Sequence, residues 1–238
     1  VEMQKRNSPY KLNGPESGEM SWAYFEYTEK FLKSDILREF CDTFSGHSYW
    51  MDTKSEEKRQ IGDELKEKYP DIKYEMSEWC ELPLTLDSTT IDSGLYMAQV
   101  IVDDLTRMNA VSWQSWTAVN GDGLMEIKDG ELVIYNRYYA FKHFTSFIKP
   151  GMVRIRAIDN FKEESQIKTV AFKDKENIAV VIVNPAETED NIKLCGMLGN
   201  AEIYLTDSEH NCEKIYEGKF EPNITVPAKS IMTVCITL

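Results

Sequence analysis

No run of about 18 apolar residues occurs in the chain, so the sequence offers no segment that would span a bilayer as a helix. Cysteine usage excludes a second group of architectures. Cys41, Cys80, Cys195, Cys212 and Cys235 are odd in number, widely scattered and without a CxxC pair, which indicates neither a zinc site nor a disulfide framework. Histidine is scarcer still, and the dispersal of His47, His143 and His210 argues against a His-based metal cluster, so neither a metal nor a cofactor is expected. Basic residues are also short, with 27 Lys and Arg against 40 Asp and Glu and a net charge of −13. That balance argues against nucleic acid or an anionic membrane as partner. The chain opens at Val1 on a polar segment, without an initiator Met or a signal peptide, and a processed or truncated product is expected.

What remains is a chain of 238 residues with 42% hydrophobic content, enough for a sizeable core in one large domain or two. Residues 1–150 alternate short apolar strands with amphipathic helices, the grammar of repeated βα units. Residues 151–238 change to β-type runs separated by Asn, Asp, Gly and Pro turns, with no helical period between them. The expected architecture is therefore an α/β part followed by a small antiparallel β-sandwich.

Within the first part, Trp22, Phe25, Leu32, Ile36 and Phe40 recur at helical spacing, which predicts one helix running to about Phe40. Thr53 and Glu56 form a capping-box pattern that would open a second helix, with Ile61 and Leu65 inward and Pro70 as its stop. Leu95, Val102, Leu105 and Met108 mark a third, and Tyr138 to Ile148 a fourth. In the second part, Phe161, Phe172, Tyr204, Tyr216 and Phe220 could serve as a sugar platform or as core, and core packing is the expected use.

The stretch Lys73-Tyr74-Glu75-Met76-Ser77-Glu78-Trp79 organises the rest. Its alternation places Ile72, Tyr74, Met76 and Glu78 on one face, as in a barrel strand whose last inward residue does chemistry at the C-terminal rim. The plainer reading is a strand that ends on a solvated Glu.

Four motifs in fixed order bear on that choice. His47-Ser48-Tyr49, Ser77-Glu78-Trp79, Trp113-Gln114-Ser115-Trp116 and the run from Arg137 to Gly151 resemble glycoside hydrolase family 30, and Val226-Pro227-Ala228-Lys229-Ser230-Ile231 resembles its last sandwich strand. The resemblance covers nearly the whole chain. It implies a retaining β-glycosidase on a (β/α)8 barrel with a side β-sandwich, of which this chain would hold strands five to eight. By that resemblance Glu78 is the nucleophile at the end of the seventh strand, and Tyr49 at the end of the sixth hydrogen-bonds it. His47, Trp116, Trp113 and Glu16 would contact substrate, with Trp116 as a face for the sugar, Trp113 deeper and Glu16 closing the fifth strand. The chemistry agrees, since an oxocarbenium-like transition state needs a carboxylate beneath the anomeric carbon and an apolar wall for the pyranose. His47 also admits a purely structural reading, and both tryptophans could be barrel filler. Cys80 has no His or cation near it in sequence and reads as packing.

Retaining hydrolysis needs a second carboxyl, in this family at the end of the fourth strand in an Asn-Glu-Pro-like motif, and that motif does not occur in the sequence. The expectation is a fragment of a retaining endo- or exo-β-glycosidase acting on a β-linked polysaccharide, inactive alone, with a missing N-terminal barrel half as its partner. The Trp-Gln-Ser-Trp form leans toward β-1,6-galactan, and an extracellular or cell-surface location is implied. The alternative is a non-catalytic carbohydrate- or partner-binding protein.

Overall fold

A computed structural model describes residues 2–20, 24–157 and 165–238. Trp22 and Phe161 lie outside the described residues, as does the side chain of Phe25. Contacts divide the chain into two compact units, one running to Pro83 and including Asp103–Trp116, the other comprising Leu84–Val102 and Thr117–Leu238.

The first unit is built on four strands, β1 (Pro15–Ser17), β2 (Thr43–His47), β3 (Lys73–Trp79) and β4 (Ser112–Ser115), which lie in sequence order and pair in parallel throughout. Parallel neighbours joined by helical crossovers are the repeating unit of a (β/α)8 barrel, and four in sequence order form half of one. The fold is the C-terminal half of such a barrel followed by an antiparallel β-sandwich.

The helices depart from expectation where local polar groups compete with the apolar period. The helix expected to reach Phe40 is broken into a π-helical turn (Tyr24–Thr28), one α-turn (Glu29–Leu32) and a separate helix α1 (Asp35–Phe40). Ser34 causes the break, because its hydroxyl accepts from the Leu37 amide and starts a new helix there. The restart shifts the apolar stripe, so Leu32 is buried but Ile36 is 55% exposed instead of inward. Helix α2 (Ser55–Lys68) buries Ile61 and Leu65 as the period requires, but Thr53 and Glu56 do not form its cap. Its N-cap is Lys54, whose ammonium has no acceptor to offer the first amides, and the hydroxyl of Ser55 donates to Asp103. Gly62 lets this helix press against the Arg107 carbonyl, where a Cβ would sit 2.0 Å from the oxygen. Helix α3 (Ile91–Thr106) buries Leu95, Val102 and Leu105, and Met108 just beyond it is buried too.

β3 carries the main correction. Tyr74 and Met76 are buried on the helix-facing side of the sheet, where Phe44 and Tyr74 pack ring to ring at 5.1 Å and line a cavity with Gly62, Leu65 and Tyr69. The opposite face is polar: Asn13 donates to Glu75 and Ser77 donates to Glu16. Glu78 joins this polar face through a bulge. Gly46 pairs with Met76 but His47 with Glu78, and the register to β4 steps from Met76/Trp113 to Trp79/Ser115. The extra residue reverses the parity of the strand end, so Glu78 does not share the face of Tyr74 and Met76.

In the second unit, β5 (Met125–Lys128) and β6 (Glu131–Ile134) form a hairpin, followed by helix α4 (Asn136–Thr145). Six antiparallel strands follow in the order β12 (Asn211–Lys219), β11 (Asn200–Thr206), β14 (Ser230–Thr237), β9 (Asn177–Asn184), β8 (Lys168–Lys173), β7 (Val153–Ile155). A second sheet pairs β10 (Asp190–Lys193) with β13 (Asn223–Val226), and Ile192, Ile224 and Val226 close the core over Ile182, Leu205 and Val234. α4 contributes His143, whose ring nitrogens bond Thr233 Oγ1 at 2.7 Å and Thr206 Oγ1 at 2.8 Å. Of the described candidates for a sugar platform, two are buried as expected and two are not. Phe172 and Phe220 are buried, Tyr204 packs on Phe147 and donates to Glu202, and Tyr216 donates to the Lys219 carbonyl.

Candidate active site

The parallel strands β1, β2 and β3 end side by side, and their last residues assemble one polar cluster. The Tyr49 hydroxyl donates to Glu78 Oε1 at 2.9 Å and also contacts Cys80 Sγ at 3.7 Å. Burial first, then these contacts with Cys80 and Glu78, push the Tyr49 phenol well above its ordinary range, so it stays protonated and serves as a donor. His47 lies between two carboxylates, with Nε2 3.0 Å from Glu16 Oε2 and Nδ1 3.7 Å from Glu78 Oε1. Its ring meets that of Tyr49 edge-on at 5.7 Å.

Glu16 is held more firmly than a rim residue needs to be. Ser45 donates to Oε1 at 2.6 Å, and Ser77 donates to Oε2 at 2.5 Å beside the His47 contact. Partial burial works to raise this carboxyl, but the bonds from Ser45, Ser77 and His47 outweigh it and hold the group below the ordinary carboxylate range. The residue itself sits at a φ of +60°, a left-handed conformation that a side chain with a Cβ adopts at a cost.

The two tryptophans diverge. Trp116 follows β4, donates its backbone amide to the Trp79 carbonyl and leaves its indole 46% exposed at the rim. Trp113 turns its indole N–H inward, to Asp104 Oδ2 at 2.9 Å, and packs against Trp79 at 5.9 Å. Asp104 is the hub of a network that motif reading missed. It also accepts from Ser48 Oγ at 2.8 Å and pairs with Lys58 Nζ at 2.8 Å, both charged side chains being fully buried. The signal was present as Asp103-Asp104 interrupting the apolar run Val100-Ile101-Val102, a place where charges persist only with partners. Through Ser48 this network holds the segment that carries His47 and Tyr49, and through Trp113 it holds β4.

The structure thus brings Glu16, His47, Tyr49 and Glu78 together, sets Trp116 at the exit of the next strand and places Trp113 in the supporting network. Such a cluster offers an ionisable carboxylate with a neutral donor on one oxygen and a polar, half-open approach. Among the described residues no group of three or more His, Cys, Asp or Glu side chains is arranged to hold a metal ion, and no helix among them is long and apolar enough to cross a membrane.

Two family models match successive parts of the chain. Residues 5–131 match the family model described as O-Glycosyl hydrolase family 30, and residues 151–234 match the glycosyl hydrolase family 30 beta sandwich domain. No curated protein matches the sequence. Among solved structures, a conserved exported protein from Bacteroides fragilis is similar at a TM-score of 0.84 and 21% identity, covering 98% of this chain and 57% of its own. A GH30 endoxylanase from Clostridium papyrosolvens is similar at 0.79 and 21%, covering 96% and 56%. The subfamily 8 xylanase Xyn30A from Clostridium acetobutylicum is similar at 0.77 and 18%, covering 99% and 58%. The chain therefore spans between 56% and 58% of the length of these structures.

Proposed function

The chain belongs to glycosyl hydrolase family 30, and from that premise we propose that it supplies the nucleophile half of a retaining β-glycosidase. The observation that carries the reading is the Tyr49 to Glu78 hydrogen bond at the ends of neighbouring parallel strands. Glu78 attacks the anomeric carbon of a β-linked sugar as the bond to the leaving oxygen breaks, and water then cleaves the glycosyl ester. Tyr49 donates a hydrogen bond to the attacking carboxylate and fixes the oxygen it occupies. Trp116 presents an apolar face to the pyranose ring, and His47 and Glu16 border the same opening.

The leaving oxygen needs a proton from a second carboxyl about 5 to 5.5 Å from Glu78. We assign that acid to an N-terminal barrel half outside residues 1–238, a reading supported by the share of the relatives' length that this chain spans. In that whole protein we divide catalytic barrel from side sandwich at about residue 150, a reading supported by the start of the sandwich match at residue 151. The substrate is a β-linked polysaccharide. The Trp-Gln-Ser-Trp motif favours β-1,6-galactan, whereas the xylanases among the structural neighbours favour xylan. An extracellular place of action fits the exported relative from Bacteroides fragilis.

The test is a panel of xylan, β-1,6-glucan and β-1,6-galactan offered to the chain together with its N-terminal half. Hydrolysis that disappears in Glu78→Gln supports the reading. Glycan binding without hydrolysis, indifferent to Glu78→Gln, favours a non-catalytic carbohydrate-binding protein instead.

A further inference from the structure

Directly after Tyr49 the chain turns, and the turn presents Trp50 to solvent. Its indole is 61% exposed although both neighbours, Tyr49 and Met51, are buried. Trp50 also sits at a φ of +59°, a conformation glycine adopts freely and a bulky aromatic residue does not. An exposed, strained tryptophan is a costly choice for a turn, and such outliers gather where geometry serves function. The ring lies 6.0 Å from that of Tyr49, whose hydroxyl is bonded to Glu78.

The strand order gives this position meaning. β3, which ends on Glu78 and Trp79, lies between β2 and β4. Trp50 comes three residues after β2 and Trp116 directly after β4, so an exposed tryptophan follows the strand on each side of β3. Adjacent strands are about 4.8 Å apart, which separates the two exits by about 10 Å. That span suits a chain of linked sugar rings rather than a single ring. Indole faces bind the apolar faces of pyranoses while the carboxylates between them meet hydroxyls.

Resting on the glycosidase reading above, we infer that Trp50 is a second sugar platform, on the opposite flank of Glu78 from Trp116. The ligand is accordingly an extended β-linked chain bound across Glu78, with rings on both sides of the bond to be cleaved. A site that grips both flanks gains affinity from chain length.

The experiment is calorimetric titration of the 238-residue chain together with its N-terminal half, as wild type and with Trp50→Ala, Trp50→Phe or Trp116→Ala. The ligands are xylo-, β-1,6-gluco- and β-1,6-galacto-oligosaccharides from monosaccharide to hexasaccharide. The wild type should bind longer members of one series more tightly. Trp50→Ala should weaken the longer ligands by about tenfold, the loss expected for one uncovered aromatic face. It should leave the monosaccharide unchanged, and Trp50→Phe should retain most of the affinity. Wild-type length dependence in Trp50→Ala, with binding lost in Trp116→Ala, would overturn the platform and leave the glycosidase reading standing. The same holds if Trp50→Ala alters only self-association. A wild-type protein with both halves present that binds no glycan of any length overturns both.

Discussion

Tyr49 and Glu78 stand at the ends of adjacent parallel strands, and the phenol donates a 2.9 Å hydrogen bond to one carboxylate oxygen. The bond forms because a bulge in β3 turns Glu78 away from the helix-facing side occupied by Tyr74 and Met76. Removing the hydroxyl in Tyr49→Phe takes a donor from a charged acceptor, worth roughly 1 to 3 kcal/mol. The rate at which Glu78 is glycosylated by an activated aryl glycoside should fall between about fivefold and 150-fold, with the fold intact. Stopped-flow release of the aryl group measures it.

Glu16 should behave as a clamp with a pH signature. Its carboxyl is held below the ordinary range, so its contribution to stability is fully present above that range and is lost as pH falls through the depressed folded value. Glu16→Gln should be less stable than the wild type near neutrality, and the difference should shrink on acidification. Thermal unfolding followed between about pH 3 and 7 compares the two proteins over the window in which carboxylates titrate.

Lys58 and Asp104 form a fully buried ion pair. Lys58→Met takes the cation from the buried Asp104 and leaves it Ser48 and Trp113 as partners among the described residues, and should cost about 3 to 5 kcal/mol in urea unfolding. Adding Asp104→Leu should recover part of that loss but not all, because Ser48 and the Trp113 indole N–H then lose their acceptor.

His143 predicts an acid-sensitive second unit. Burial, helped by Lys142, lowers its pKa from 6.5 to about 3, so the folded protein keeps it neutral between Thr206 and Thr233. The unfolded chain takes up that proton first. Stability is therefore full above pH 6.5 and falls as pH drops toward about 3, by up to about 1.4 kcal/mol per pH unit. His143→Gln should flatten this slope in guanidinium titrations at a series of pH values.

Much of this was legible in the sequence because it is local. A strand closing near Glu78 and the inward stripe of α2 follow from alternation and helical period, whereas Glu16 reached its strand only through the family resemblance. Glu78 was placed correctly at a strand end but on the wrong face, because a bulge is decided by register against two neighbouring strands and leaves no trace in one strand's alternation. The Lys58 to Asp104 pair was missed for a similar reason, since its members come from different helices. The break at Ser34 was open to view as an N-cap residue, but the apolar period running through it masked the signal. β10 and β13 are short and obtain their partners across the sandwich, so no local run announces them.

The most direct test of Glu78 as nucleophile is covalent capture. The chain, together with its N-terminal half, is incubated with an activated 2-fluoro-glycoside, and the labelled peptide is identified by mass spectrometry. A single glycosyl ester on Glu78, absent from Glu78→Gln, is the predicted result. A label on Glu16 or Glu81, or one that survives Glu78→Gln, would contradict it.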